Sequence, residues 1–436
     1  MSIFDNSTRL LTMMSPRRAL VVGSMRAKLL MTMIPSVVLL LVVTGFISYQ
    51  VSRHFIFIAL ERLVRVQTMA AAHAVEIMLD QCRHDVSFVA RGEIRSEVLR
   101  DFLARTRASG GIAYRELMFV SQSSEMNGSL VAEGQDIREL TPALARDVRP
   151  NPTLLYEHIK DLERGDVALM PVTRVEYPFP AQDNANLKIS SEVTRLIAPV
   201  IDAEGRRLGY LALGVDVRLI RNILSVYNSQ KSPLFAFARS PEVRYIYLFD
   251  TDGWILFQSE DPDAPQGPLS TYLARAGYDG TLGKPGLGCA FRPSAVSADF
   301  WRMVTEVRAG KSDALGLGDV TGEEASKTHF LSWTPLRFAR KTGGPAHIWG
   351  GLAYVDRSRL TEVAGYRQVD LMFLVTLGSV LLTSLILFLL GRVITRPIIL
   401  LTQAVKRIQD TGELRKIETL KGGYETQALR DALNGL

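Results

Sequence analysis

Residues Val243–Asp263 read VRYIYLFDTDGWILFQSEDPD. An apolar run (Tyr245–Phe249) meets an Asp252-Gly253 turn and is followed at once by a second apolar run (Trp254–Phe257), the pattern of a β-hairpin. Tyr114–Asp136, YRELMFVSQSSEMNGSLVAEGQD, repeats the form, with Asn127-Gly128 as the expected turn. A second pair follows in the same order. Thr194–Leu224, TRLIAPVIDAEGRRLGYLALGVDVRLIRNIL, parallels Leu331–Val363, LSWTPLRFARKTGGPAHIWGGLAYVDRSRLTEV. Each has a strand with Pro, a Gly-containing turn, a return strand with Gly, then Val-Asp and a short helix. Two matches in register, about 80 residues apart in both copies, point to an internal duplication of a small α/β unit. The Pro-rich inserts within each copy would fold over the sheets and shape the wall of any cavity.

Upstream of the first copy, residues 57–106 keep apolar side chains at spacings of three and four (Leu60, Leu63, Val64, Ala71, Val75, Met78), with no Pro and a single Gly. This pattern predicts a long stalk helix. Two stretches outside the copies contain no charge: the run between Lys28 and Arg53, and LMFLVTLGSVLLTSLILFLLG between Asp370 and Arg392. Each exceeds the ~20 residues that cross a bilayer as a helix. No small-x-small cleavage site follows the first, so it reads as a retained anchor. Arg17, Arg18, Arg26 and Lys28 precede the first span, and Arg392, Arg396, Lys406 and Arg407 follow the second. Both termini are therefore expected on the cytoplasmic side, with residues about 50–369 outside. The net charge of +6 is then a matter of topology. No aromatic-interleaved basic stripe calls for nucleic acid.

A retained span, a long helix, two tandem strand-rich modules and a second span resemble the double Cache sensor regions of bacterial transmembrane receptors. The likeness is carried by YIYLFDTDGWILFQSE and by the return strands GYLALGVDV and GGLAYVDRSRL. The segment GRVITRPIILLTQAVKRIQDTGEL from Gly391 resembles a HAMP linker. Pro397 suits an early helical position, Ile398, Leu401, Val405 and Ile408 form a seam, Gly412 ends the helix, and Leu429 and Leu433 begin a second seam. Where the family has Asp/Glu-Glu-x-Gly before its second helix, this chain has YETQAL.

The resemblance implies an α+β membrane protein with two PAS-like antiparallel-sheet modules. The expected segments are 1–28 cytoplasmic, 29–52 first span, 53–110 stalk, 111–228 membrane-distal module, 229–366 membrane-proximal module, 370–391 second span and 392–436 HAMP. It also implies a homodimer in the inner membrane that binds a small extracytoplasmic ligand and drives a cytoplasmic output domain or protein. No kinase, cyclase or methyl-accepting segment follows Leu436. The expectation is thus either a piece of a longer receptor or signalling by contact with a separate protein.

The six histidines form no H-x-H or H-E-x-x-H spacing, and no G-x-S-x-G, S-x-x-K or P-loop occurs, so neither a metal, a cofactor nor a catalytic constellation is expected. A tethered periplasmic enzyme or a protein-binding adaptor are the alternatives. Recognition is the chemistry left. By the resemblance the distal module holds the ligand, with Tyr156, Arg174, Tyr177, Arg195 and Asp216 as candidate contacts. Arg195 would suit a carboxylate and Asp216 an amine, consistent with an organic acid or amino-acid-like ligand. An arginine on a solvated face, and Asp216 as cap of the helix from Val217, are the plain alternatives. Asp250, Trp254, Tyr354 and Asp356 hold similar positions in the second copy. Cys82 and Cys289 are expected to be unpaired thiols.

Overall fold

The computed structural model describes residues 25–121, 126–148, 150, 152–178, 188–228, 244–259, 273, 278–317, 329–356, 360–412, 428, 431–432 and 435. These fall into two compact units, one built from the chain up to Phe57 and from Val363 onward, the other from Ile58–Glu362. The helices are α1 (Met25–Arg91), α2 (Ser96–Ala108), α3 (Pro142–Val148), α4 (Pro152–Ile159), α5 (Val217–Asn228), α6 (Ala298–Arg308) and α7 (Leu360–Thr411).

The larger unit holds two antiparallel sheets. The first contains β1 (Glu116–Ser121), β2 (Met126–Glu133), β3 (Asp136–Glu139), β4 (Ala168–Leu169), β5 (Thr173–Pro178), β6 (Lys188–Ile201) and β7 (Arg207–Asp216). The second contains β8 (Arg244–Asp250), β9 (Ile255–Gln258), β10 (Gly280–Lys284), β11 (Leu287–Pro293), β12 (Asp313–Leu317), β13 (His329–Ala339) and β14 (Ala346–Asp356). The first sheet runs β3-β2-β1-β7-β6-β4, with β5 also on β6; the second runs β10-β11-β9-β8-β14-β13-β12. The shared centre, β2-β1-β7-β6 against β9-β8-β14-β13, is the duplication read from the two matched pairs. The chain is an α+β fold.

Both sheets are covered on both faces, which is why β6 is buried almost continuously from Ser191 to Val200. One core joins the sheets through α1. Val64, Ala71, Val75, Leu79, Cys82 and Val86 recur at helical spacing and pack with Leu117, Leu196 and Leu213 of the first sheet and Ile246, Leu248 and Leu352 of the second. Each fully buried Val or Leu there contributes roughly 1.5–3 kcal/mol. The buried hydroxyl of Thr68 on this stripe is satisfied by the Val64 carbonyl at 2.8 Å. The opposite face of the first sheet is closed by α3 and α4 through Val148, Leu155 and Ile159. The opposite face of the second is closed by α6 through Met303, Val304 and Val307.

Polar contacts also tie α1 to both sheets. Tyr114 donates its hydroxyl to Asp85 at 2.5 Å. Arg83 donates to the Ala339 carbonyl at 3.1 Å, and Glu76 accepts the Arg337 N–H at 2.7 Å.

Three expectations change. The helix over 53–110 is two helices, because Gly92 follows the end of α1 and the chain re-enters helix only at Ser96; glycine costs about 1 kcal/mol inside a helix. Asn127-Gly128 is not a turn: Gly128 lies in β2 opposite Phe119, and the connection falls at 122–125, outside the described residues. The helix after the second Val-Asp is the 52-residue α7, unlike the 12-residue α5 of the first copy. The Asp252-Gly253 turn stands as read, with Gly253 at φ +80° and its α-carbon against the Trp301 ring, where a Cβ would lie 2.7 Å from a ring carbon.

In the smaller unit, Ile34–Ser52 and Leu371–Leu389 are helical segments of 19 residues each, long and apolar enough to cross a membrane. Gly45 faces Thr376 between them, where a Cβ would come within 3.0 Å of the Thr376 hydroxyl.

Candidate functional site

The first sheet carries an ion pair on the face closed by α3 and α4. Glu116 opens β1 and stands opposite Gly214 of β7. Its side chain lies over that glycine, where a Cβ would sit 2.2 Å from the Glu116 Cγ, so only glycine fits. The Glu116 carboxylate is wholly buried and accepts hydrogen bonds from Arg195 Nε, from Arg195 Nη2 at 3.2 Å, and from the Tyr177 hydroxyl at 2.7 Å. Arg195 is 4% exposed and also donates to the Val148 carbonyl at 2.8 Å. Burial alone would lower the Arg195 pKa, but the charge and hydrogen bonds of Glu116 outweigh it and raise it further. Burial and then the Glu116 charge push the Tyr177 hydroxyl well above its ordinary value, so it stays a donor. The structure thus joins two candidates, Tyr177 and Arg195, through a residue that the sequence reading passed over. The carboxylate held by the Arg195 fork is Glu116 of the same chain.

Asp216 is arranged differently. It ends β7 and accepts the Arg218 N–H at 2.9 Å, which caps α5. It also holds Arg218 Nη2 at 2.9 Å and Arg115 Nη2 at 2.9 Å. Burial would raise its pKa, yet the hydrogen bonds from Arg218 and Arg115 hold it below the usual carboxylate range. A cavity of about 370 Å³ opens beside this cap, lined by Arg107, Arg115, Glu133, Asp216, Arg218 and Arg221 among others. Arg107 has its pKa lowered, first by burial and then by Arg115. Arg115 pairs with Glu133 across the same cavity.

Arg174 is exposed on β5, with its Nε donating to Ser190 at 2.7 Å. Tyr156 lies on α4 and Asp356 ends β14, but both side chains lie outside the described residues. Tyr354 is fully buried in the core that α1 shares with both sheets. Trp254 is half-buried, with the Arg292 guanidinium 5.9 Å over its ring. Asp250 binds the turn: its Oδ1 accepts the N–H groups of Asp252 and Trp254 at 2.9 Å, and its Oδ2 takes Lys284 Nζ at 2.5 Å. Asp250 also lines a second cavity, of about 260 Å³, between the two sheets. The rest of that cavity escaped sequence reading because its walls come from positions far apart in the chain.

Cys82 and Cys289 are free thiols, one buried and one half-buried. Among the described residues, no group of three or more His, Cys, Asp or Glu side chains converges. At the C-terminal end α7 stops at Thr411, and Gly412 takes φ +66°, its N–H donating to the Ile408 carbonyl at 2.9 Å. Ile398, Leu401, Val405 and Ile408 all lie on α7, with Leu401 only 3% exposed. Pro397 is not at an early helical position as expected but inside α7, which runs unbroken from Leu360 through the second apolar segment; its side chain and residues Leu429 and Leu433 lie outside the described residues.

No family model matches the chain, and no curated protein matches it. Solved structures similar to it include sensory domains. A domain of a sensory box/GGDEF family protein from Vibrio parahaemolyticus is 14% identical, covering 68% of this chain and 96% of that one at a TM-score of 0.41. The periplasmic sensory domain of the Campylobacter jejuni chemoreceptor Tlp1 is 11% identical over 69% and 95%, at 0.39. The ligand-binding domain of the Pseudomonas fluorescens chemoreceptor CtaA, in complex with L-isoleucine, is 13% identical over 70% and 96%, at 0.37. At these identities and TM-scores the similarities assign neither ligand nor activity to this chain.

Proposed function

We propose that this chain is a membrane-anchored sensor of the double Cache type. The unit Ile58–Glu362 takes up a small molecule outside the membrane, and the helices that anchor it relay occupancy to a cytoplasmic output. One observation carries the reading. The two 19-residue apolar segments bracket a unit with cores of its own, and their large apolar side chains are exposed, among them Leu39 at 64%, Phe46 at 61%, Leu371 at 64% and Phe373 at 68%. Apolar surface on that scale needs a non-aqueous cover.

The helix that carries the first segment also supplies Ala71, Val75 and Leu79 to the core of the sheets, so a rearrangement of the sheets acts directly on α1. The seam Ile398-Leu401-Val405-Ile408, ended at Gly412, supports a HAMP relay working in a parallel dimer. Full switching by a ligand requires about 5.5 kcal/mol of preference between two packings.

Topology tests the anchor and a ligand screen tests the sensor. In a Cys289→Ser background, Glu204→Cys is expected to react with an impermeant maleimide on intact cells, and Thr411→Cys only after permeabilisation. The full chain in lipid nanodiscs, screened against organic acids, amino acids and amines, is expected to melt later with at least one compound. Saturation at 100 times Kd adds about 2.7 kcal/mol. Equal labelling of both positions, or a screen in which no compound moves the melt, refutes the reading.

A further inference from the structure

The two sheets are fastened to each other on both sides of the 260 Å³ cavity. On one side Val167 N–H donates to the Arg340 carbonyl at 2.9 Å, and Lys341 Nζ bonds Glu163 at 3.0 Å and Asp166 at 3.3 Å. On the other, Arg174 N–H donates to the Gly286 carbonyl at 2.7 Å. The first module supplies the wall Leu169, Pro171 and Val172, with His158 from α4; the second supplies Leu256, Phe338 and Trp349 as an apolar floor. The polar groups around that floor are Asp250, Thr251, Asp252, Lys284, Arg340 and His347, with His158 on the facing wall.

Their pairing decides what the cavity can hold. Asp250 accepts from two backbone N–H groups and from Lys284, and Asp252 lies 3.7 Å from Arg308. The acids therefore have partners. The Arg340 guanidinium and the His347 ring make no hydrogen bond or ion pair among the described residues, and the Lys284 ammonium has two protons beyond the one that Asp250 takes. Unused donors over an apolar floor suit an acceptor that carries negative charge on an apolar body. At about 260 Å³ the space falls just below the ~300–1,000 Å³ of drug-sized sites, which suits a small metabolite.

We propose that this junction cavity binds a small organic anion, its carboxylate held by Arg340, His347 and Lys284 and its apolar body laid on Phe338 and Trp349. The assignment rests on the sensor reading and names its ligand class and its place. The anion sits between the two modules rather than inside the first, where the Arg195 fork is already filled by Glu116. Because the cavity is walled by both modules, occupancy favours one packing of the modules over another, and that differential is what a ligand needs to shift a two-state equilibrium.

The test uses the full chain in nanodiscs, titrated with benzoate, phenylacetate and isovalerate, and with inorganic phosphate, putrescine and L-isoleucine for contrast. Calorimetry and tryptophan emission are the readouts, with Trp349→Phe identifying the emitting residue. At least one carboxylate is expected to saturate, with Kd raised about tenfold or more in Arg340→Gln/His347→Gln. Binding is expected to be unchanged in Arg174→Gln. Arg340 and His347 are exposed and unpaired, so the double variant folds as the parent does, which near-ultraviolet circular dichroism checks.

Carboxylate binding that survives the double variant unchanged overturns the site while leaving the sensor reading intact. Binding of putrescine, phosphate or L-isoleucine in place of every carboxylate overturns the ligand class, again with the sensor reading intact. Failure of all probes, with maleimide labelling also against the proposed topology, removes both.

Discussion

Removing either member of the Glu116–Arg195 pair should cost more than removing both. Glu116→Gln preserves shape but leaves a guanidinium that is 4% exposed without its counter-charge. Arg195→Met leaves a wholly buried carboxylate held by Tyr177 alone. Breaking a buried pair in this way costs about 3–5 kcal/mol, whereas neutral replacement of both partners is close to neutral. The double variant Glu116→Gln/Arg195→Met retains the Tyr177 hydroxyl as a donor to the new amide and should recover most of that loss.

Hydrogen exchange of peptides covering β6 and β7, read by mass spectrometry on the full chain, reports the first module directly. At about 1.4 kcal/mol per tenfold, each single variant should speed exchange there by roughly 100- to 5,000-fold, and the double variant by no more than about tenfold. All four tryptophans (Trp254, Trp301, Trp333 and Trp349) lie in the second module, so their emission should stay unchanged and serves as an internal control. Additive single-variant effects in the double variant would show that the two side chains do not act as a pair and would refute the reasoning.

Three further outcomes are expected. Asp216 has a depressed pKa, so the stability it contributes is present above its unfolded value of about 3.9 and is lost as the pH falls through its lower folded value. Asp216→Asn should therefore lower the melting temperature at pH 7 by an amount that shrinks as the pH falls below about 3.9, and an effect independent of pH would contradict the assigned charge interactions. Burial pushes the Cys82 thiol up to about 12 and the Cys289 thiol up to about 11; the native chain should thus react slowly with Ellman's reagent at pH 7.5 and show two thiols once unfolded, and rapid native labelling of Cys82 would contradict its burial. Leu381→Arg places a charge near the middle of the second apolar segment at a cost of about 2.5–3.5 kcal/mol, and alkaline carbonate should release more of that variant than of the parent from membranes, whereas equal retention would argue against a spanning role.

The duplication was legible because alternation and turn residues act locally. The Asp252-Gly253 hairpin and the return strands ending at Asp216 and Asp356 follow from pattern alone. Asn127-Gly128 misled because the same dipeptide that favours a turn can also sit in a strand when register demands it, and β1 pairs Phe119 with Gly128. Gly92 was visible in the stalk, yet periodicity on both sides masked the break. The sites were less legible for a different reason. Arg195 could be singled out as a guanidinium on an inward strand, but its partner lies 79 residues away. The available signal was a lone acid at the buried end of ELMFVS, on the same face of the strand as Met118. Lys284, Arg340 and His347 gave no local sign at all, since their meaning comes from the junction of two modules.

The two copies share one packing device and put it to different ends. In the first, Glu116 of β1 stands opposite Gly214 of β7 and lies across it. In the second, Phe249 of β8 stands opposite Gly351 of β14, where a Cβ would lie 2.5 Å from the Phe249 ring and 2.9 Å from Val307. A glycine in the return strand thus makes room for a large side chain from the hairpin strand in each module. Copy one fills that room with a carboxylate, which then needs Arg195 and Tyr177 to satisfy it. Copy two fills it with a ring that needs only Val307 and Phe300 around it. The two pairs stand at different places in their hairpin strands, Glu116 at the start of β1 and Phe249 near the end of β8, and the second module's Lys284, Arg340 and His347 line the junction cavity. The carboxylate that Glu116 buries within the first module is satisfied by Arg195 and Tyr177 of the chain itself, whereas Lys284, Arg340 and His347 keep unused donors where the two modules meet.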